Sequence, residues 1–236
     1  MQTFPAVSYQ SAKNLSLVVF GLLAVTIVIE AVNTLLSLGH LYFPYPLELD
    51  GGESMSIWIM FIGLIAILQL PIFILTVIFF LIWLHRSYKN LDPLGARHLE
   101  HTPGWAVGYW FIPILNLFKP FQVVRDIWNE SDPDVDPEMG FLSGGGGTPA
   151  LLGVWWALWL SSNIIANASS RMDMTASGEF GSVSTTVYGV ASILTMFAAI
   201  AAIKVVTGIT QRQEDRFQKV GVTGSYSEPP LPPAFN

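Results

Sequence analysis

Glu30 is the one clear acidic residue within an apolar stretch long enough to cross a membrane, residues 15–38. The polar residues of this stretch recur at helical spacing and therefore share one helix face: Thr26, Glu30, Asn33, Thr34 and Ser37. An ionisable side chain within a membrane is costly, and such residues often mark a proton or substrate path. Glu30 is therefore the first candidate for chemistry in this chain.

A second apolar stretch, residues 149–168, carries polar residues near one end, among them Ser162, Asn163 and Asn167. Both stretches run from inside to outside in the topology derived below, so Asn163 lies at a depth similar to that of Glu30. We predict that the two residues face each other in a polar cluster of Glu30, Asn33, Asn163 and Asn167. The alternative is structural, in which a protonated Glu30 hydrogen-bonds a neighbouring helix and stabilises the bundle by about 0.6 kcal/mol.

The elements that must position these residues are helices that span a membrane. The 236 residues are 52% hydrophobic and 12% charged, whereas a soluble domain has about 25% charged residues. Segments long enough to span the roughly 30 Å hydrocarbon core occur at 15–38, 56–84, 149–168 and 184–208. We therefore predict an all-α integral membrane protein of four transmembrane helices within residues 15–208. The last helix is rich in small residues, which predicts tight packing within the chain or against a neighbour.

The basic residues predict the orientation of these helices. The 39–55 loop has no Lys or Arg, and the 169–183 loop has only Arg171. Cytoplasmic loops carry the excess of basic residues. Both termini are therefore expected in the cytoplasm, as an N-terminal arm (1–14) and a Pro-rich tail (209–236). The long 85–148 connection lies on the same side and ends in an acidic and Gly-rich linker, 131–148.

The stretch "PGWAVGYWFIPILNLFKP", residues 103–120, is apolar but too short to cross a bilayer. Pro113 interrupts it, so we predict a short helix that ends near Pro113, a turn at 114–116 and a second helix from Pro120 to Asn129. The second helix has Phe121, Val124, Ile127 and Trp128 on one face and Gln122, Arg125, Asp126 and Asn129 on the other. This pattern predicts a re-entrant or interfacial helical hairpin on the cytoplasmic side, residues 103–129. The hairpin either packs against the bundle or lines a site for a substrate or lipid.

Residues 83–133 also carry a recognisable signature. It combines a Trp-Leu-x-Arg helix end, a Pro-Gly-Trp-Ala-Val-Gly turn and a Pro-x-x-Asn-Leu-x-x-Pro run that leads into a helix with an Arg and a Trp. Its candidate site residues are Arg86, Asn90, Trp105, Trp110, Pro113, Asn116, Pro120, Arg125 and Trp128. This pattern resembles an uncharacterised bacterial membrane family, domain of unknown function 4328. Lys119 departs from the family pattern, in which Arg is common. The resemblance implies a bacterial inner-membrane protein and no particular activity.

Other chemistry finds little support in the sequence. The chain has no cysteine and a net charge of −6, which argues against thiol chemistry and a nucleic-acid partner. His98 and His101 lie three residues apart near Glu100, too few for a metal site, so we expect surface histidines. Asp132, Asp134, Asp136 and Glu138 lack the glycine and distal glutamate of a calcium loop and are expected to be a solvated acidic loop. We therefore expect no cofactor, no metal and no catalytic residue.

Two functions from different classes compete, and an enzyme comes third. The first is a non-catalytic accessory or scaffold subunit of a larger bacterial membrane complex, with lipids and membrane protein partners or self-association. The alternative is a small transporter or a lipid-binding or ligand-binding membrane protein that uses Glu30 and the 103–129 hairpin.

Overall fold

The computed structural model describes residues 8–42, 53–96, 99–134, 149–175 and 181–225. Its α-helices are α1 (Lys13–Tyr42), α2 (Glu53–Lys89), α3 (Pro103–Gly108), α4 (Lys119–Glu130), α5 (Ala150–Thr175) and α6 (Gly181–Ser225). Two short 3-10 helices, Tyr109–Phe111 and Leu115–Leu117, lie between α3 and α4. No strand occurs in these ranges. The prediction of an all-α fold is confirmed.

Four of the helices are long and apolar enough to cross a membrane, as the sequence predicts. The candidate spans are Lys13–Leu38, Gly63–Lys89, Ala150–Arg171 and Thr186–Lys219. The helix α2 exposes large apolar side chains along its length, for example Ile67 and Phe73, which are 70% and 62% exposed. Such continuous apolar surface is unfavourable in water and matches the lipid that surrounds a membrane helix.

The chain divides into two compact units. We call residues Asn14–Trp83 and Pro149–Thr207 the bundle unit, and residues Met1–Lys13, Leu84–Thr148 and Gly208–Asn236 the signature unit. The bundle unit contains most of α1, α2, α5 and α6. The signature unit contains the N-terminal segment, the end of α2, the helices α3 and α4, and the end of α6.

The bundle unit is packed through small residues on α6 and aromatic residues on α2 and α5. The small side chains of α6 are buried within the chain: Ala191, Ser192, Ala198, Ala199, Ala201 and Ala202. A Cβ at Gly189 would lie 3.2 Å from the Cβ of Ser37, so this glycine permits a close approach of α6 to α1. Of the two packing modes predicted for this helix, the structure therefore has the one within the chain.

The signature unit is built around the end of α2 and around α4. The helix α2 ends in a tight turn in which the amide of Ala96 donates to the carbonyl of Leu91, and Gly95 has a φ of 91°. Thr102 caps α3 by accepting from the amide of Trp105. Ile112 is extended because it precedes Pro113. The helix that ends before Pro113 and the helix from Pro120 to Asn129 are both confirmed.

The last helix is longer than the sequence predicts. The fourth span was predicted to end at residue 208, whereas α6 continues to Ser225, so residues 209–225 of the predicted Pro-rich tail are helical. The rest of that tail lies outside the described residues. Ile209, Gln213 and Arg216 are buried at helical spacing, and this packing holds the extra turns. Of the apolar face predicted for α4, Val124 and Ile127 are fully buried in protein and Phe121 and Trp128 are half-buried, which fits the packing alternative for this helix.

The acidic linker is also only partly as predicted. Asp132 is buried, and its carboxylate lies 2.6 Å from the guanidinium of Arg212. Asp134 is exposed and pairs with Lys219, which lowers the pKa of this carboxyl. Asp136, Glu138 and the glycine run lie outside the described residues.

Candidate functional site

The Glu30 cluster is a group of polar side chains in the bundle unit. We define it by five side chains from three helices: Glu30 and Asn33 of α1, Gln69 of α2, and Tyr188 and Ser192 of α6. Glu30 is only 6% exposed and Asn33 only 8%. Because most residues of the spanning parts of these helices are apolar, the five side chains form a polar cluster in a mainly apolar bundle.

The carboxylate of Glu30 is the centre of the hydrogen bonds in this cluster. The side-chain amide of Gln69 donates to Oε1 of Glu30 at 3.2 Å. The side chains of Ser192 and Asn33 also interact with the carboxyl group. The amide of Asn33 lies 3.5 Å from the hydroxyl of Tyr188, whose side chain also bonds Gln69 and Ser192. Glu30 is therefore held by side chains of all three helices.

Asn163 and Asn167 do not take part in the Glu30 cluster, which corrects the prediction. Both are exposed. The amide of Asn163 donates to the carbonyl of Trp159 at 2.7 Å, and that of Asn167 donates to the carbonyl of Asn163 at 2.7 Å. A polar side chain in an apolar helix can satisfy itself on the carbonyl four residues earlier, and these two residues do so. Gln69, Tyr188 and Ser192 lie beside Glu30, where we predicted Asn163 and Asn167.

Asn90 is a buried polar residue of the signature, only 2% exposed. Its side-chain amide donates to the carbonyl of Gln10 at 2.8 Å, and its Oδ1 accepts from the amide of Gln10 at 3.1 Å. It also donates to Oε1 of Gln213 at 3.3 Å. Asn90 thereby joins the N-terminal segment, the end of α2 and the end of α6, so its role is structural.

Arg86 and Trp128 also contribute to packing in the signature unit. A guanidinium nitrogen of Arg86 lies 3.4 Å from the carbonyl of Ser11. The ring of Trp128 stacks against the guanidinium of Arg212 at 4.7 Å. A Cβ at Gly208 would lie 2.9 Å from the same ring. These contacts explain a signature tryptophan without assigning it any chemistry.

The remaining signature residues divide into buried and exposed groups. Pro120 is buried at the start of α4, whereas Trp105 is 52% exposed and Pro113 is exposed. Trp110 and Asn116 are half-buried. Arg125 pairs with the adjacent Asp126 at 3.2 Å. Burial raises the pKa of Asp126, and Arg125 offsets this only in part.

Sequence reasoning missed the polar network that the N-terminal segment forms with α6. Tyr9, Ser11 and Lys13 all contact the carboxylate of Glu214, with the hydroxyl of Tyr9 at 2.9 Å. Burial and this hydrogen bond raise the pKa of Tyr9. The ring of Tyr9 stacks on Phe217. The signal that could have revealed this contact is the spacing of Ile209, Gln213 and Arg216 on one helix face.

This architecture defines a class, the multi-pass helical membrane proteins, here with a carboxylic acid held between three helices. The family model described as Domain of unknown function (DUF4328) matches residues 52–211, more than half of the chain. The chain belongs to this family, as its signature indicated. No curated protein and no solved structure matches it.

Proposed function

We propose that the protein binds a proton or a small cation at the Glu30 cluster, as a small transporter or a ligand-binding membrane protein does. The observation that carries this proposal is the burial of Glu30 in an apolar bundle with polar side chains from three helices around it. Ionisable residues in such positions are rare in membrane helices and are a feature of proton and ion paths. The cluster offers carboxylate, amide and hydroxyl oxygens, the ligands that small hard cations prefer.

Proton flux into proteoliposomes tests this proposal. With a potential imposed across the vesicle membrane and a pH-sensitive dye inside, the wild type is expected to conduct protons. Glu30→Gln keeps the size of the side chain and its hydrogen-bonding capacity but cannot exchange a proton. We expect Glu30→Gln to lower the flux at least tenfold.

Asn163→Leu is the matched control, because Asn163 is a polar residue of a candidate span but lies outside the cluster. The proton flux of this variant is expected to equal that of the wild type. The flux is repeated with sodium and with potassium gradients to separate a proton from a cation. A Glu30→Gln protein that differs from the wild type only in thermal stability would leave Glu30 with a purely structural role.

We infer the following membrane arrangement for the protein in the bacterial inner membrane. The signature unit and both termini lie in the cytoplasm, on the side where basic residues accumulate. The segment Trp105–Phe118 meets the bilayer surface. Its exposed apolar side chains support this placement, notably Phe111 at 70%, Ile114 at 73% and Leu117 at 53%. The apolar side chains of this segment are more available to lipid than those of α4, of which Val124 and Ile127 are buried in protein.

Single-cysteine labelling tests this arrangement, since the chain has no cysteine of its own. A membrane-impermeant maleimide is expected to label Arg171→Cys in intact spheroplasts and Lys89→Cys only after the membrane is opened. Ile114→Cys is expected to react at least tenfold more slowly than Lys89→Cys in opened membranes. Both positions are exposed in the structure, so a difference between them reports the bilayer. Labelling of Lys89→Cys from outside would reverse the orientation, and equal rates would place the segment in water.

An accessory or scaffold subunit is the second candidate. The exposed segment 105–118 favours this candidate, since an exposed apolar surface also fits a membrane protein partner. The small residues of α6 lend it no support, because they are buried within the chain. Purification in a gentle detergent distinguishes the two candidates: a fixed set of larger subunits that travels with the protein would establish this second function.

A further inference from the structure

Three potential metal-ligand side chains that are not part of the Glu30 cluster converge in the signature unit. Glu100, His101 and Asp126 each offer a ligand atom within 4.8 Å of the other two. Nε2 of His101 lies 4.0 Å from Oδ2 of Asp126. Glu100 and His101 precede α3, and Asp126 lies in α4, so the fold brings them together across 25 residues of sequence. We propose that these three residues bind one divalent transition-metal ion of the zinc class.

The imidazole of His101 distinguishes this cluster from an ordinary group of surface charges. Its side chain is only 5% exposed, so the prediction of a surface histidine at this position is wrong. Its Nε2 is buried and has no hydrogen-bond partner among the described residues. A buried polar atom without a partner is unfavourable. A metal ion bound to Nε2 would give this atom a partner.

The other nitrogen of the same ring has the partner that a metal-bound histidine requires. Nδ1 of His101 lies 3.3 Å from the hydroxyl oxygen of Tyr109. When Nδ1 donates its proton to this oxygen, Nε2 carries the lone pair and faces Asp126. Metal-ligating histidines are oriented by such a hydrogen bond in proteins generally. The main-chain amide of His101 also donates to the hydroxyl of Tyr88 at 3.0 Å, which holds the residue in place.

The distances suit a small transition metal. Zinc holds nitrogen and oxygen ligands at about 2.0–2.2 Å in tetrahedral geometry, so two of its ligand atoms lie about 3.3–3.6 Å apart. Nε2 of His101 and Oδ2 of Asp126 lie 4.0 Å apart, so a small rotation of the side chains brings them to this separation. Glu100 has an exposed side chain that can move toward the other two ligands. Oδ1 of Asp126 is engaged by Arg125 at 3.2 Å, which leaves Oδ2 as the single ligand atom of this residue. Imidazole nitrogen is a ligand for zinc, cobalt or nickel in preference to calcium or magnesium.

Calorimetric titration of the full chain with zinc, without a histidine tag and after treatment with a chelator, tests the site. The wild type is expected to bind one ion per chain. His101→Gln, Asp126→Asn and Glu100→Gln are each expected to weaken binding at least tenfold, and Tyr109→Phe about tenfold through loss of the orienting hydrogen bond. His85→Gln, a change at an exposed histidine outside the cluster, is expected to bind as the wild type does. Cobalt in place of zinc should give an absorption band that His101→Gln lacks.

The thermal unfolding of each variant without metal identifies any that fail to fold. Glu100→Gln alters an exposed side chain and keeps the test valid if a buried variant is lost. Two results would overturn the proposal: zinc binding by the wild type no tighter than by His101→Gln, or loss of binding in His98→Gln with retention in His101→Gln. His98 lies outside the described residues.

Discussion

Replacement of Gln213 by leucine is expected to lower the stability of the signature unit by about 3–5 kcal/mol. The side chain of Gln213 is fully buried and makes three hydrogen bonds. Its amide donates to the carbonyl of Ser87 at 2.8 Å and to the hydroxyl of Ser131 at 3.1 Å, and its Oε1 accepts from Asn90 at 3.3 Å. Leucine fills a similar volume but removes all three bonds, so the carbonyl of Ser87 and the hydroxyl of Ser131 lose a partner in the core, each at a cost of about 1–3 kcal/mol. Asn90 loses one bond and keeps those to Gln10.

The apparent melting temperature of the purified protein in detergent measures this effect. A loss of this size corresponds to a decrease on the order of 10 °C for a chain of this length. Gln211→Leu is the matched control, because Gln211 lies two residues earlier on α6 and is exposed. Its side-chain amide donates to the carboxylate of Asp215 at 2.8 Å. Its expected effect is within about 0.5 kcal/mol. Equal melting temperatures for the two variants would show that the Gln213 network contributes nothing to stability.

Replacement of Arg216 by methionine is expected to cost about 2–5 kcal/mol. The guanidinium of Arg216 is buried, with the residue only 3% exposed. Its Nε donates to the carbonyl of Leu94 at 2.8 Å and its NH1 group to the carbonyl of Asp132 at 2.7 Å. Methionine keeps much of the apolar volume but has no donor, so both carbonyls remain unbonded. The turn after α2 and the segment after α4 are then no longer joined through one side chain of α6.

Limited proteolysis together with the melting temperature tests this second effect. Arg216→Met is expected to melt lower and to be cleaved sooner near residues 94–96 and 132–134, where the two carbonyls lie. Lys219→Met is the control, since Lys219 lies on the same helix and pairs with Asp134 at the surface. An exposed ion pair contributes about 0.2–1 kcal/mol. Cleavage of both variants at the wild-type rate would contradict the anchoring role of Arg216.

The sequence by itself determined the class of protein, the four helices and the family. Each of these depends on local properties, since hydropathy sums over one segment and the signature occupies one continuous stretch. The break before Pro113 and the start of α4 at Pro120 were predictable for the same reason, because proline restricts its own backbone and that of its neighbour. Glu30 was also identifiable, as an acid in an apolar run.

Only the tertiary structure decided which residues meet. The partners of Glu30 depend on the rotation of each helix about its axis, and one residue of difference turns a side chain by about 100°. That rotation directs Asn163 away from the cluster and Ser192 into it, although both lie in apolar helices. Likewise His101 is buried and α6 extends to Ser225 because of packing between segments far apart in the chain. Hydrogen-bond partners and burial are properties of such contacts, and no local pattern in one segment contains them.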